Sequence, residues 1–155
     1  MLTFLASVKA GSTTAVAPKY SHSAYDILST QYQIIHSPDV LIFEGLNILQ
    51  AEGKVVASDY IDLLLYLDAE EADLEEWYLK RFLRLQKTAF QDSTSYFHQC
   101  RNLSLEEAKL VATSIWRETN LPNLRSNILT LRSHADVVLR KCSDHSLSEI
   151  WLRNC

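Results

Sequence analysis

Apolar residues near the start of the chain recur every third position, at Leu2, Leu5 and Val8, and the run stops at Gly11. This spacing places the three side chains on one face of a helix, and glycine is common just past a helix end. The pattern predicts a short helix over residues 2–10, followed by a polar turn.

Three later runs are short, apolar and bounded by turn residues or polar side chains, which is typical of buried strands. They cover residues 39–44, 61–67 and 135–140. The apolar positions of residues 145–153 fit a strand or a helix equally well. We therefore expect at least three strands, with the type of the last segment left open.

Two longer segments between these runs carry helix signals. Residues 69–87 begin with acids and end with bases, which complements the helix dipole. Ser104 and Glu107 form a capping-box pattern that predicts a helix to about Thr119, and Pro122 can open a further short helix. Strands separated by long helical connections predict an α/β fold with a mostly parallel sheet, forming one domain or part of one.

Composition narrows the class of protein. The chain has 155 residues, of which 47% are apolar and 22% charged, enough for one globular domain with a core. The net charge is −4 and the basic residues are interspersed with acids, so nucleic acid is not an expected partner. Three cysteines without a C-x-x-C spacing argue against a disulfide framework or zinc site. No signal peptide or membrane-spanning run is visible, so we expect a cytoplasmic protein.

Glycine is scarce, with only Gly11, Gly45 and Gly53 in the whole chain. A Walker A loop requires G-x-x-x-x-G-K-[ST] and a dinucleotide loop requires G-x-G-x-x-G, because the backbone must approach phosphates closely. Neither motif can be written with these three residues. The chain therefore does not carry either phosphate cradle.

Candidate chemistry begins at two carboxylates that end apolar runs, Glu44 and Asp68. In parallel sheets, ligands bind beyond the carboxyl ends of the strands. Asp68 precedes an acid-rich helix start, and we expect it to cap that helix. Glu44 is followed by Gly45, and it can hold Mg²⁺ or its water shell or serve as a structural cap.

Three further groups of side chains admit a functional and a structural interpretation. Tyr20, His22, Tyr25 and Asp26 fit a polar-ligand site or a polar loop around a core tyrosine. Tyr78 and Arg81 share a helix face, where the guanidinium can meet a carboxylate or phosphate or lie in solvent. A third group of aromatic residues forms either part of the core, which is the commoner case, or the wall of a ligand pocket. Its members are Phe82, Phe90, Tyr96 and Phe97.

Several sequence blocks, in order along nearly the whole chain, resemble the bacterial type I pantothenate kinases. They are residues 18–26 (PKYSHSAYD), 41–50 (LIFEGLNILQ), 77–82 (WYLKRF), 95–98 (SYFH), 116–124 (WRETNLPNL) and 127–129 (NIL). Uridine kinase and phosphoribulokinase share the P-loop architecture but are not expected to show the Tyr-Ser-His and Glu-Gly-Leu-Asn blocks together. The ordered agreement is more specific than any single motif.

The resemblance implies transfer of the γ-phosphoryl group of MgATP to the hydroxyl of pantothenate, in coenzyme A biosynthesis. It implies that Arg81 contacts the transferring phosphate and that Glu44 lies by Mg²⁺. The positions that would contact pantothenate are Tyr20, His22, Tyr25, Tyr78 and Asn120. The pocket for the pantothenate tail, which also takes the pantetheine arm of the inhibitor coenzyme A, would be walled by Phe82, Phe90, Tyr96 and Phe97.

The resemblance covers only the C-terminal half of the family's length. It implies that residues 1–155 form a partial P-loop kinase domain, because the family's Walker A loop, lysine and general-base aspartate belong to the N-terminal half. We expect no turnover from this chain alone, and an exposed apolar sheet face with unpaired strand edges. The expected partner is a complementing N-terminal half or a second copy in a homodimer. The alternative is a non-catalytic remnant that binds pantothenate or pairs with a kinase.

Overall fold

A computed structural model describes residues 1–21, 26–46, 48–49 and 55–153. The first helix, α1 (Leu2–Lys9), confirms the predicted one. Gly11 follows it with φ +70°, a left-handed conformation that favours glycine, and its amide donates to the carbonyl of Val8. The helix ends where the pattern predicts because this glycine supports the turn.

Helices α2 (Glu71–Gln86) and α3 (Leu105–Ile115) also confirm the predicted ones. The Ser104 side chain accepts from the Glu107 amide, while the Glu107 carboxylate accepts from the Ser104 amide at 2.8 Å. After α3 the chain stays helical with a changing pitch. The bounds are Trp116–Asn120 (π-helical), Leu121–Asn123 (α-helical, with the predicted proline in its first turn), Leu124–Ile128 (π-helical) and Leu129–Ser133 (3₁₀).

Five strands lie in two sheets among the described residues. Their bounds are β1 (Thr14–Ser21), β2 (Asp26–His36), β3 (Leu65–Asp68), β4 (Val137–Lys141) and β5 (Leu147–Leu152). β1 and β2 form an antiparallel hairpin, and the other three form a sheet in the order β3-β4-β5. The fold is therefore mixed α/β.

The three-stranded sheet corrects the expectation of a mostly parallel one. β3 and β4 are parallel, as the long helical crossover between them requires. β5 returns antiparallel to β4 through a short connection in which His145 has φ 69°. A parallel neighbour would require a long crossover connection, and this connection is too short for one. The final segment, for which the sequence left strand and helix open, is therefore an antiparallel strand.

The predicted strand over residues 39–44 is wrong. This segment is not in a strand, and no described residue pairs with it along the backbone. Its side chains still alternate: Leu41 and Phe43 pack on the core, while Val40 and Ile42 are 80% and 89% exposed. The sequence has the pattern of a buried strand, but a strand exists only where a neighbour completes its hydrogen bonds.

Sequence reasoning also misses the β1–β2 hairpin, expecting only a polar turn after α1. Pro18 argues against a strand, yet it lies at a shift in the pairing register, where proline is tolerated. The face of β1 that packs on the core carries Ala15 and Ala17. Because these side chains are small, the alternation of apolar and polar residues along the strand is a weak sequence signal. The hairpin packs on α1 through this small-residue face.

Buried side chains of the described residues form two hydrophobic clusters. The first joins α1, the hairpin, the inner face of the three-stranded sheet and the last 3₁₀ segment, around Phe4, Leu5, Tyr66 and Val138. The second joins α2 and α3. Among the described residues, no helix is both long and apolar enough to cross a bilayer.

Candidate substrate site on the α2 and α3 helices

Helix α2 directs an aromatic row towards α3. Tyr78 and Phe82 lie one turn apart, with ring centroids separated by 6.4 Å, and Tyr78 is 5.7 Å from the Trp116 ring. A spacing of four residues on α2 places the first two rings on one face. The π-helical segment after α3 supplies the third ring, so two elements distant in sequence share this cluster.

The predicted aromatic patch is assembled by the loop between α2 and α3. Phe90 and Phe97 lie 5.1 and 5.8 Å from Phe82, and Phe82 and Phe90 are buried. Phe97 is half-buried, while Tyr96, 5.0 Å from it, is 61% exposed. The exposure of the patch therefore increases from Phe82 and Phe90 in the core to Tyr96 at the surface.

Gln86 fixes this loop from inside, a role that the sequence does not reveal. The side chain is buried and its Nε2 donates to the carbonyls of Cys100 at 3.0 Å and Leu103 at 2.8 Å. The Gln91 side chain donates back to the Gln86 carbonyl at 2.7 Å. These bonds satisfy buried and partly buried carbonyls, so they hold the aromatic loop against α2. A buried glutamine in a charged helix gives no sequence signal, because the carbonyls it meets are 14 and 17 residues away.

The Trp116 indole has a second unpredicted feature. The residue is buried, and its Nε1 is the one fully buried side-chain nitrogen or oxygen among the described residues with no hydrogen-bond partner. Leaving such a donor unsatisfied costs about 1–3 kcal/mol. The donor lies beside Tyr78 and one turn before Asn120, which is half-buried. An acceptor on a ligand can satisfy it.

The helical segment that carries Trp116 and Asn120 is anchored to the start of α2. Arg125 donates from Nε and Nη2 to the two carboxylate oxygens of Glu71, at 3.0 and 2.8 Å. This two-pronged contact fixes orientation as well as distance. It keeps the segment and α2 in register.

Arg81 lies on the exposed side of α2, three residues after Tyr78. It takes part in none of the ion pairs formed between described residues, whereas Lys80 pairs with Glu76 one turn earlier. An exposed guanidinium outside these ion pairs can receive an anionic group. The phosphate-contacting role that the resemblance implies for Arg81 stays a prediction.

The remaining predicted site residues are not gathered on α2. Tyr20 is 45% exposed at the end of β1, and Glu44 is exposed on the segment that lacks a strand partner. His22 and Tyr25 lie outside the described residues. The predicted roles of these four residues remain predictions.

Asp68 does not cap α2, contrary to expectation. The N-cap is Glu70, without a side-chain hydrogen bond, and the buried Asp68 carboxylate instead accepts from Arg140 at 2.9 Å and Arg132 at 3.3 Å. Arg140 also pairs with Glu70. Asp68 and Arg140 are register partners at the carboxyl ends of β3 and β4. Opposite charges ending two apolar runs are the sequence signal that identifies this pair.

Burial and the Asp68 carboxylate both raise the pKa of Tyr66. Burial raises the pKa of the Tyr66 phenol above its ordinary value, and the negative charge of Asp68 raises it further, while Arg132 opposes the shift. Tyr66 is thus held neutral beneath the inner face of the sheet. The role of Tyr66 is structural, because its ring packs in the first hydrophobic cluster.

We tested whether the described residues fit MgATP. The α2 N-terminus carries Glu70, Glu71 and Asp73, which repel phosphate. The α3 N-terminus is occupied by its own capping box, and hydrogen bonds from Ser104 lower the pKa of Glu107. No group of three His, Cys, Asp or Glu side chains suited to a metal occurs in the part of the chain that is described. The N-termini of α2 and α3 therefore offer no favourable site for a phosphate group.

Comparison with curated proteins identifies the relatives. Proteins named pantothenate kinase from Brucella ovis and Allorhizobium ampelinum are each 46% identical to this chain over 160 residues. The match covers 99% of this chain in both cases, and 50% and 48% of the two relatives. Along almost its whole length, this chain is similar to pantothenate kinase.

The pantothenate kinase from Brucella abortus gives the same values as the Brucella ovis protein, 46% identity with 50% of the relative covered. The resemblance inferred from the sequence blocks is therefore confirmed. The chain spans about half the length of the curated pantothenate kinases that it matches. No protein-family model matches the chain.

Proposed function

We propose that this chain is the substrate-binding half of a pantothenate kinase with a P-loop kinase fold. The whole enzyme would phosphorylate pantothenate to 4'-phosphopantothenate with MgATP, in the cytoplasm. The observation that carries the proposal is 46% identity to proteins named pantothenate kinase across 99% of the chain. The half-buried Tyr78 and the exposed Arg81 on α2, with the exposed Tyr96 on the following loop, support the proposal.

In this proposal the pantothenate site lies where α2 meets the segment after α3. The Trp116 indole N–H donates to a pantothenate oxygen, which removes the cost of its unsatisfied state. Asn120 and Tyr78 supply further polar contacts, and the aromatic patch packs on the apolar part of the ligand. Coenzyme A would compete through its pantetheine arm, which has the same chemistry.

Arg81 acts on the phosphoryl group in this scheme. Phosphoryl transfer depends mainly on positioning and on electrostatic stabilisation of the transferring group, so a guanidinium near it accelerates the reaction. When bound, MgATP supplies the phosphoryl group and the divalent charge. The described residues offer it no cradle, so its phosphates belong to the other half of the enzyme, as does the general base.

The test is a kinase assay with MgATP and pantothenate. We expect no turnover from this chain alone and turnover when it is combined with the half of the Brucella ovis pantothenate kinase that the match leaves out. In the active mixture, Arg81→Ala should lower kcat by about 100-fold, and the matched change Arg84→Ala, one turn further along α2, should leave it unchanged. An inactive but assembled mixture would contradict the proposal.

A second candidate function is a non-catalytic pantothenate-binding protein. It is favoured by the presence of the aromatic site together with the absence of a phosphate cradle among the described residues. Titration calorimetry separates the two. Pantothenate binding by a mixture that never phosphorylates it supports the second candidate, whereas binding with turnover supports the first.

A further inference from the structure

An open cavity of about 340 Å³ lies between the C-terminal end of α2 and the chain that leads into α3. This volume is sufficient for a small ligand. The described residues that line it are two cations, two amides and two leucines, and none of them is acidic. They are Gln86, Lys87, Gln91, Arg101, Leu103 and Leu105. We call this space the α2-end cavity.

The two cations of the α2-end cavity form no ion pair with the described acids, so neither Lys87 nor Arg101 is neutralised by a carboxylate within that part of the chain. Arg101 is half-buried, and its Nη1 donates to the His98 carbonyl at 3.1 Å. That bond uses one of the five N–H groups of the guanidinium. It orients the guanidinium and leaves donors for a ligand.

Three acids that flank the lining residues in the sequence are engaged by other groups. The Asp92 carboxylate accepts from the amide and the hydroxyl of the residue two positions further on, each at 2.8 Å. The Glu106 carboxylate pairs with Lys109. The Glu107 carboxylate accepts from the Ser104 amide in the capping box of α3. None of the three therefore requires a cavity cation as its partner.

The carbonyls that end α2 also have donors. A helix C-terminus carries partial negative charge, and open carbonyls there would repel an anion. The carbonyls of Arg84 and Leu85 each accept from a backbone amide three residues further on. The Gln86 carbonyl accepts from Gln91 Nε2 at 2.7 Å. The cavity therefore presents cationic donors beside carbonyls that are already hydrogen-bonded, and this arrangement favours an anion.

We propose that the α2-end cavity binds a phosphate monoester with a short apolar body. Such a phosphate carries nearly two negative charges at neutral pH, which matches one lysine and one arginine, whereas a carboxylate needs only one of them. Arginine donors suit phosphate oxygens, and Leu103 and Leu105 offer an apolar wall to the rest of the ligand.

This site is separate from the phosphoryl-contacting role proposed for Arg81. Arg81 does not line the cavity, and it lies six residues before Lys87. Six residues correspond to about 9 Å along a helix axis. The inference therefore does not depend on the proposed function, and the kinase assay described above does not test it.

The experiment titrates monobutyl phosphate into the isotopically labelled chain and follows the side-chain amide signals of Gln86 and Gln91 by NMR. We expect both signals to shift and to saturate. Lys87→Gln and Arg101→Gln should each raise the dissociation constant about tenfold, because each removes a charged donor to the phosphate. The matched control is Lys80→Gln, the same change two turns earlier on α2, which should leave the dissociation constant unchanged.

Inorganic phosphate is the second probe. It should bind more weakly than monobutyl phosphate, because it leaves the two leucines uncovered. Equal affinity for the two probes would show that the cavity recognises charge alone and would overturn the proposed ligand class. The same spectra show whether each variant is folded, so a loss of binding is not confused with a loss of structure.

Three further outcomes would overturn the inference. The first is that neither glutamine signal moves, or that both move without saturating. The second is that Lys80→Gln weakens binding as much as Lys87→Gln does, which would indicate a general attraction of the anion to lysines. The third is that Arg81→Gln abolishes binding while Lys87→Gln preserves it, which would place the phosphate monoester at the proposed substrate site.

Discussion

The helical region and the sheet region of this protein differ in how fully their apolar side chains are buried. The helical region, formed by α2, α3 and the loop between them, buries Phe82, Phe90 and Ala108 and satisfies its loop carbonyls through Gln86. The sheet region, β3 to β5, buries one face and exposes the other. Sequence separation explains the difference. The contacts of the helical region join residues that are close together in the sequence. A parallel sheet, in contrast, needs neighbouring strands and covering layers that come from distant segments of the chain.

The largest expected effect tests this contrast directly. Phe82→Ala should lower the free energy of unfolding by about 3–5 kcal/mol, because it removes a buried ring that packs against three others. Leu67→Ala should change it by no more than about 0.5 kcal/mol in the chain alone, since that side chain is already exposed. Urea unfolding of both variants gives the comparison. Equal losses would show that the Leu67 side chain is covered in the chain alone.

The charged cluster at the end of the sheet gives the next effect. Asp68→Asn should cost about 1–3 kcal/mol, because it removes the charge of a buried carboxylate that accepts hydrogen bonds from Arg132 and Arg140. The control is Glu70→Gln, whose more exposed carboxylate also meets Arg140 and should contribute less than about 1 kcal/mol. Thermal unfolding in low and high salt measures both. A larger loss for Glu70→Gln would contradict the assignment of Asp68 as the central acceptor.

The helical region carries the third prediction, which concerns binding. Trp116→Phe keeps an aromatic ring and removes the unsatisfied N–H, so pantothenate affinity should fall about tenfold. Ala112→Gly provides a destabilised control in α3, with a cost of about 1 kcal/mol and no expected change in affinity. Calorimetric titration gives both dissociation constants. Equal affinities for Trp116→Phe and the parent chain would exclude the indole as a ligand donor.

The same contrast decides what could be predicted from the sequence. Local signals were sufficient for α1 with Gly11, for α2, and for the capping box of Ser104, because each depends on residues within a few positions. They failed for residues 39–44, whose strand requires a neighbour that the described chain does not provide. At the candidate site, Tyr78 is selected by its spacing and by the family resemblance, and its role in binding stays a prediction. Gln86 and the unsatisfied Trp116 are visible only once distant segments are packed together.

The smallest expected effect is a pH dependence in the sheet region. Because the folded-state pKa of Tyr66 is raised, the folded chain holds this phenolic proton to higher pH than the unfolded chain does. The resulting stability is fully present below the unfolded pKa of about 10 and is lost as the pH rises through the folded value. Urea unfolding at pH 9 and 11 should show a smaller loss for Tyr66→Phe than for the parent chain. Identical losses would mean that Tyr66 ionises as freely in the folded sheet as in the unfolded chain.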